Sequence, residues 1–493
     1  MSSLDEIRQA RIAKLEKLID AGIDPFPANV NQDYELQELS ENFSKLSKPK
    51  KQISVVGRIM SLRPQGGLTF FHLDDGSGRF QVLLKKGSLI SDDEFILFSE
   101  VADIGDFVET KGKLFLTKRG EKTLEASSWR MLAKSLRPLP EKWHGLQDIE
   151  ERFRRRYLDT LMNEEVRARF ETRIRMIDAI RDFYDKAGFL EVEVPYLQPL
   201  AGGATARPFT TYHNMLDAEF YLPVAQELYL KELLIGGFRK VYEIGRRFRN
   251  EGIDHMHNPE FTMLESNEAY ADAKGLMEFT EKLFKFVIKK LFGKNKITYA
   301  RQNIDFSSKF ATVTFYDLLR RHALIPEPQK LSRKEAAVKA EQLGVKVEDE
   351  DALEKILDNI YKKTARPKLI QPTFIVDYPV AMNPFAKRKK DNPTLIDRFQ
   401  LVIGGMELVN AFSELNNPID QKERYLEQDE KGRAGEGEIS PSDREYIEAM
   451  EYGMPPNGGI GIGIDRLAMF LTDTENIKEV IFFPTLRPRK ASD

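Results

Sequence analysis

Five short segments between Ile53 and about Pro138 constrain this chain more than any other feature. ISVVGRIMSLRP, LTFFHLDD, GRFQVLLKK, DFVETKGKLFLTKRG and KTLEASSWRML are rich in β-branched and aromatic residues, and each is bounded by Gly, Asp or Pro. Five such strands in roughly 90 residues predict a small Greek-key barrel, an OB-fold. Barrels of this kind often bind single-stranded nucleic acid by stacking bases on aromatics. In TFFHLDDGSGRFQ, Phe70 and Gln81 fall on adjacent predicted strands around the Asp75-Gly76 turn. There an aromatic can stack a base while an amide reads its edge. A strand phenylalanine is more often core than contact, and the residues alone leave both readings open.

Composition narrows the class. A chain of 493 residues allows two to four domains at ~150 residues each. Hydrophobic residues make up 41% and charged residues 31%, as in an ordinary soluble globular protein. No uninterrupted apolar run approaches the ~20 residues of a membrane helix. The N-terminal stretch MSSLDEIRQARIAKLEKLIDAG is charged throughout and lacks the apolar middle of a secretory signal, so the expected compartment is the cytoplasm. The absence of cysteine removes disulfides and thiol nucleophiles, and six histidines argue against a structural zinc site. At a net charge of −3, a nucleic-acid partner has to be met by local basic patches.

Residues 1–50 read as an N-terminal helical extension. Ile7, Ile12, Leu15, Leu18 and Ile19 recur near helical spacing up to Asp24-Pro-Phe-Pro-Ala, which fits a helix docked by its apolar stripe or one that contacts RNA. The barrel takes residues 51–140. Residues 141–160 read as a linker carrying Arg152, Arg154, Arg155 and Arg156, a run that a solvated helix face explains as readily as RNA contact. From 161 to 493 the pattern is a helix at about 165–187 ending at Gly188, then strands around Pro195, 219–224, 241–250, 260–268, 373–377, 397–415 and 459–462, with a helix from Asp465. Charged helical sequence at about 327–366 reads as an insertion. The predicted class is α+β, an N-terminal barrel followed by an antiparallel sheet with helices.

The chemistry concentrates in three places. FRNEGIDHMHNPEFTMLE reads as two strands joined by a long loop, with Arg249 and Glu251 on one face of the first and Phe261, Met263, Glu265 and Asn267 on one face of the second. A purine against Phe261, a phosphate on Arg249, an adenine amino group on Glu251 and an ammonium on Glu265 would use all four. A surface ion-pair network explains the charges but not the aromatic. In RFQLVIGGMELVNAFSEL, Asn410, Phe412 and Glu414 share a strand face, and Glu407 precedes them. In GGIGIGIDRLAMFL, glycines run into a helix start with Asp465 at the cap and Arg466 in the first turn; the lysine of a phosphate-binding loop and the spacing of a dinucleotide turn are both missing.

These segments resemble the three signature motifs of class II aminoacyl-tRNA synthetases: FLEVEVP with Pro195, FRNEG…HNPEFTMLE, and GIGIDR with Arg466. LRPLPEKWHGLQD, RRRYLD, GGATARPF, ELYLKELLIGGFRKVYEIGR and NAFSELNNPIDQ resemble the lysine-specific branch of subclass b, and the likeness spans about residues 5–488. The resemblance implies ligation of L-lysine to tRNA(Lys) through a lysyl-adenylate, with ATP and Mg2+, by positioning and charge neutralisation without a protein nucleophile. It implies that Arg249 bridges the lysine carboxylate and the α-phosphate, that Glu251 meets the adenine edge, and that His257 and Asn258 lie near phosphate and adenine. Phe261 would stack one adenine face, and Arg466 would cover the other and reach the γ-phosphate. Gly203 and Glu227 would hold the α-amino group and Asn410 the carboxylate. Glu414, assisted by Glu265, would pair with the ε-ammonium. Glu407 would bind magnesium, and Phe70 and Gln81 would take the central anticodon base. The segment leading to Pro195 resembles the class II dimerisation motif and implies a homodimer.

Two positions depart from the family pattern. Asn267 stands where a tyrosine that helps hold the ε-amino group is expected, which predicts a gap. Gln400 stands where a metal-binding glutamate is expected, which keeps an oxygen and loses the charge. Three other readings compete: a subclass b synthetase for aspartate or asparagine, a related ligase that lysylates a protein, and a catalytically silent RNA-binding paralogue. Glu265 and Glu414 favour an amine over a carboxylate substrate. The barrel disfavours the protein ligase, and Arg249, Phe261, Glu407 and Arg466 disfavour the silent paralogue.

Overall fold

Burial alternates along LTFFHLD: Thr69, Phe71 and Leu73 are buried, while Phe70 and His72 face outward and are half-buried. The computed structural model describes residues 3–48, 51–140, 148–349, 351–433 and 440–489. The chain divides into two units, Met1–Leu146 and Gln147–Asp493.

In the first unit, helices α1 (Leu4–Asp20), α2 (Leu36–Glu41) and α3 (Phe43–Leu46) precede strands β1 (Ile53–Gln65), β2 (Leu68–Asp74) and β3 (Arg79–Lys85). Helix α4 (Asp92–Val101) leads to β4 (Phe107–Leu116) and β5 (Lys122–Ala133). The strands close a barrel in the order β1-β2-β3-β5-β4, with β3 and β5 parallel. Ser3 and Glu6 form a capping box at the start of α1. This helix docks through buried Leu18 and an arginine, not through the full apolar stripe: Arg11 donates to the carbonyls of Ser135 (2.9 Å), Ile104 (3.1 Å) and Arg137 (3.2 Å), while Ile19 is exposed. Leu36, Leu39 and Phe43 join the barrel's own core, so the described part of 1–50 is packed into this unit.

Of the predicted linker, residues 141–147 lie outside the described residues. The remainder forms α5 (Ile149–Arg154) and α6 (Arg156–Met162) within the second unit. Arg156 is neither solvated nor offered to RNA. It is buried, pairs with Asp159 at 2.8 Å and donates to the Lys478 carbonyl at 2.7 Å.

The second unit continues with α7 (Glu164–Lys186), the short edge strand β6 (Leu190–Glu191), the hairpin β7 (Thr210–His213) and β8 (Ala218–Tyr221), and α8 (Glu227–Ile235). Next come β9 (Lys240–Phe248), β10 (Glu260–Ala269), α9 (Ala273–Phe292), the hairpin β11 (Lys296–Tyr299) and β12 (Gln302–Asp305), and β13 (Ala311–Thr314). Helices α10 (Phe315–Ala323), α11 (Arg333–Gln342) and α12 (Leu353–Thr364) lead to β14 (Thr373–Pro379), β15 (Leu395–Ile403) and β16 (Met406–Ser413). The unit ends with α13 (Pro418–Arg433), α14 (Arg444–Glu451), β17 (Asn457–Gly463) and α15 (Ile464–Leu471).

One sheet, β13-β14-β15-β16-β17-β10-β9-β6, organises this unit and is antiparallel except at its two outermost pairs. Leu264, Phe399, Leu401, Val409, Ala411, Ile460 and Ile462 bury one face against α7, α9 and α15. The alternate residues of β10, β15, β16 and β17 therefore point to the other face, where the functional side chains collect. The predicted insertion contributes α11 and α12, which share a second core with α10 and with Phe315, Tyr361 and Tyr378.

Three local expectations are corrected. The region 397–415 is a hairpin that turns at Gly404 and Gly405, both left-handed at φ 59° and 76°. Strand β9 stops at Phe248, so Arg249 and Glu251 do not share a strand face; only the Arg249 N–H bond to the Pro259 carbonyl (2.9 Å) continues the ladder. Helix α15 is entered directly from β17 with Gly463 at the cap, so Asp465 lies inside the first turn. Its buried carboxylate accepts from the Thr262 N–H (2.6 Å) and from Arg173, a tertiary tie in place of a cap.

Candidate active site

A cavity of about 870 Å³ opens on the sheet face opposite α7 and α9. It brings together Gly203, Glu227, Arg249 and Glu265 with Asn267, Gln400, Glu407, Asn410 and Glu414. Residues from α12, among them Asp358, Asn359 and Lys362, form part of its wall, so the insertion contributes to the site. Gly459 and Gly461 leave room on the floor. A Cβ at Gly459 would collide with Glu414 Oε1, so only glycine permits the carboxylate its present position. Gly203, at φ 84°, lies against Glu227.

Arg249 brings a cation to this cavity without a ready anion. Its Nε is buried with no hydrogen-bond partner among the described residues, and its guanidinium lies 5.2 Å from the centre of the Phe261 ring. Burial lowers its pKa, and Glu251 and Glu265 oppose that shift. An unfilled buried donor calls for an acceptor such as a carboxylate or a phosphate.

Glu265 is committed elsewhere than expected. Strand register sets it directly opposite Glu243, a repulsive pair unless a cation lies between them. Buried Arg247 supplies that cation, reaching Glu243 at 2.6 Å and Glu265 at 2.5 Å, and the Gln226 N–H adds a bond to Glu265 at 2.7 Å. Burial alone would lower the Arg247 pKa, but Glu265 and Glu243 outweigh it and raise it. Glu265 is thus neutralised from within and is not a free partner for an ammonium.

Glu414 sits in a second buried cluster. Its Oε1 accepts from Asn267 at 3.0 Å, and its Oε2 lies 2.6 Å from the ammonium of Lys231, which also hydrogen-bonds Glu227. Burial pushes the Glu414 carboxyl up to about 8 against the pull of Lys231, and burial likewise raises Glu227. Asn267 does not leave a simple gap. It is buried, it donates to the carboxylate, and it approaches Asn457 Oδ1 at 3.3 Å.

On β15 and β16, Arg398 donates to Asn410 Oδ1 at 2.8 Å, leaving the Asn410 –NH2 as its available donor. The Tyr378 hydroxyl donates to Gln400 Oε1 at 2.6 Å. Burial pushes Tyr378 far up, so it stays protonated and needs an acceptor; Gln400 therefore commits its oxygen and keeps its –NH2 to offer. On β15 and β16 the lining carboxylate is Glu407. Among the described residues no group of three or more His, Cys, Asp or Glu side chains is placed to hold a metal ion.

Glu251, His257, Asn258, Phe261 and Arg466 do not line the cavity. Asn258 is buried and donates to the Glu260 carbonyl at 2.6 Å. His257 contacts Asp254 through Nδ1 (2.9 Å) and lies 3.0 Å from Arg466 through Nε2, so this arginine rests on the histidine. Phe261 is linked to the cavity through Arg249. In the first unit, Phe70 and Gln81 share the outer barrel face with His72, which is the cross-strand partner of Gln81. Gln81 is not a free amide. It is buried, and both neighbours are satisfied when its oxygen accepts from Thr123 (2.8 Å) and its nitrogen donates to Glu121 (2.9 Å).

Arg247 and Lys231 escaped the sequence reading. A signal existed for Arg247, since it falls on the same period-two face of β9 as Glu243. Lys231 carries no comparable mark beyond its i+4 spacing from Glu227.

An OB barrel, together with a mostly antiparallel sheet whose open face gathers buried carboxylates and an arginine with an unfilled buried donor, defines a class II synthetase architecture. The chain matches the family described as tRNA synthetases class II (D, K and N) over residues 148–487, and the OB-fold nucleic acid binding domain over residues 53–132. It belongs to the class II tRNA synthetase family. Within that family its relatives include lysine–tRNA ligases. The one from Carboxydothermus hydrogenoformans is 47% identical over 486 residues, covering 99% of both chains. The one from Pelotomaculum thermopropionicum is 46% identical over 489 residues, 99% of this chain and 96% of the relative. The one from Aquifex aeolicus is 46% identical over 441 residues, 89% of this chain and 74% of the relative.

Proposed function

We infer that this protein ligates L-lysine to tRNA(Lys) in two steps. A lysine carboxylate oxygen attacks the α-phosphorus of ATP, forming lysyl-adenylate and releasing pyrophosphate. The terminal adenosine of the tRNA then takes the lysyl group and AMP leaves. The observation that carries this reading is the polarity of the cavity, with the unfilled Arg249 donor just past the end of β9 and the carboxylates Glu227 and Glu414 elsewhere in the lining. A substrate with a carboxylate and two ammonium groups complements that set, whereas an acidic side chain would meet Glu414.

Arg249 binds the lysine carboxylate and the α-phosphate, and the Asn410 –NH2 supports the carboxylate. Gly203 and Glu227 receive the α-ammonium, and Glu414 receives the ε-ammonium. Phe261 and Glu251 take adenine, with His257 and Asn258 nearby. Arg466 leaves its resting contact on His257 to cover the nucleotide. The residues present fit a Mg2+ ion held mainly by the nucleotide phosphates with Glu407 as its protein carboxylate, and they do not fit a two-carboxylate site, because Gln400 is neutral and its oxygen is engaged by Tyr378. When bound, that ion neutralises phosphate charge. Phe70 stacks an anticodon base on the barrel face, and Gln81 reads it after exchanging its bonds to Thr123 and Glu121. The working form is a homodimer in the cytoplasm; no helix among the described residues is long and apolar enough to cross a membrane.

ATP–pyrophosphate exchange with a panel of lysine, aspartate, asparagine and norleucine tests the assignment. Exchange with lysine alone is expected. Exchange driven by aspartate or asparagine, or by none of the four, would overturn it.

A further inference from the structure

Lys231 is a fully buried ammonium that no step of the proposed reaction uses. It projects from α8, hydrogen-bonds Glu227 one turn earlier and lies 2.6 Å from Glu414 Oε2. The rings of Phe385 (5.1 Å), Phe412 (5.9 Å) and Tyr446 (5.9 Å) surround it. Both carboxylates line the cavity, and Lys231 does not. Its contact with Glu414 is close but poorly directed: Oε2 has no hydrogen-bond partner among the described residues, while Oε1 is held by Asn267. One oxygen of Glu414 therefore has its charge balanced and still lacks a directed donor.

We propose that Lys231 is a positioning residue for the two ammonium-binding carboxylates of the cavity, clamping Glu227 and Glu414 into one unit and setting the charge that they offer the α- and ε-ammonium groups of lysine. This rests on the reading of the cavity as a lysine site. With the Lys231 ammonium between them, the carboxylates of Glu227 and Glu414 are screened from mutual repulsion; without it, one of them takes up a proton and stops attracting a cation. The other titratable groups facing the unit are Tyr446 from α14, Tyr425 from α13 and Glu265 from β10. Burial raises both tyrosines, which stay neutral, and Glu265 is matched by Arg247. The charge of the unit is thus set by Glu227, Lys231 and Glu414. Burial alone would lower the Lys231 pKa, but the two carboxylates hold it well above its ordinary value, so the clamp stays cationic across the working range.

The test compares wild type, Lys231→Met and Lys231→Arg in ATP–pyrophosphate exchange, reading KM for lysine, kcat, KM for ATP and the pH dependence of the lysine KM. Lys231→Met is expected to raise the lysine KM by at least ~30-fold while the KM for ATP stays within ~2-fold. The acid limb of log(1/KM) for lysine should move to higher pH, and Lys231→Arg should bring both quantities part of the way back. A lysine KM and acid limb unchanged in Lys231→Met would overturn the proposal. So would a parallel loss of lysine affinity, ATP affinity and melting temperature in both variants, the mark of a purely structural lysine. If Lys231→Met does not fold, Lys231→Arg decides alone: a displaced acid limb supports the clamp and an unmoved one overturns it. Wild-type protein that shows no lysine-dependent exchange refutes the functional reading instead, and is seen before any variant is made.

Discussion

Replacing Glu414 with glutamine removes one negative charge from the cavity and almost no volume. In the wild type the side chain is 1% exposed, Oε1 accepts from Asn267 at 3.0 Å and Oε2 is 2.6 Å from Lys231. Glutamine keeps an oxygen for Asn267. Lys231 keeps Glu227, so the free protein is not left with a wholly unpaired cation and the stability cost falls at the low end. The bound substrate has no such reserve. Its ε-ammonium would be buried beside Lys231 without a counter-charge, and breaking a buried pair costs ~3–5 kcal/mol. At a factor of ten per ~1.4 kcal/mol, the lysine KM should rise at least ~100-fold. The pH profile gives a second reading. The Glu414 carboxyl is pushed up to about 8 in the empty site, so below that value ammonium binding has to displace a proton. Wild-type log(1/KM) for lysine should rise with pH and level off near about 8, and Glu414→Gln should flatten this limb. Stability moves the opposite way. An acid whose folded pKa is raised binds its proton more tightly in the native state, so Glu414 makes wild-type stability fall as pH rises from 4.5 to about 8, and the variant should lose that part of the slope. The assays are lysine-dependent ATP–pyrophosphate exchange and thermal melts across that range. A folded Glu414→Gln protein whose lysine KM stays within ~3-fold of wild type would refute the reasoning, because a charge worth kcal/mol cannot vanish without effect.

Glu265→Gln should behave differently, since Arg247 and not the substrate is its partner: we expect a lower melting temperature and a lysine KM within ~3-fold, and a large rise in KM with unchanged stability would show that Glu265 faces the ammonium after all. Phe70→Ala should weaken tRNA charging by the ~1–3 kcal/mol of one stacked base while sparing pyrophosphate exchange, so a loss of exchange would remove Phe70 from the anticodon site. Gln400→Glu adds a second carboxylate near Glu407, and the Mg2+ concentration for half-maximal exchange should fall. An unchanged or higher requirement would mean that position 400 does not face the metal.

Much of this was legible in the chain. Alternation in NAFSE orients side chains within a strand because the pleat has period two, and this needs no knowledge of neighbours. It put Asn410 and Phe412 on one strand face, and that face lines the cavity. The long motif phrases likewise carried the family, and with it Arg249, Glu227 and Glu414 as cavity residues. What the sequence could not supply is pairing across distance. Glu265 reads as an open carboxylate until β9 is set beside β10; register then puts Glu243 opposite it and Arg247 between them. Asn267 reads as a vacancy until β16 and β17 bring Glu414 and Asn457 to its amide. Asp465 reads as a cap until α7 presents Arg173. Lys231 carries no mark in the sequence beyond its spacing from Glu227, yet the fold buries it completely, because Glu414 from a distant segment joins Glu227, one helical turn earlier, at its ammonium. Local pattern decides which way a side chain points. Only the assembled sheet decides which charges meet, and in a buried site that meeting determines whether a carboxylate is spent on the fold or left to bind substrate.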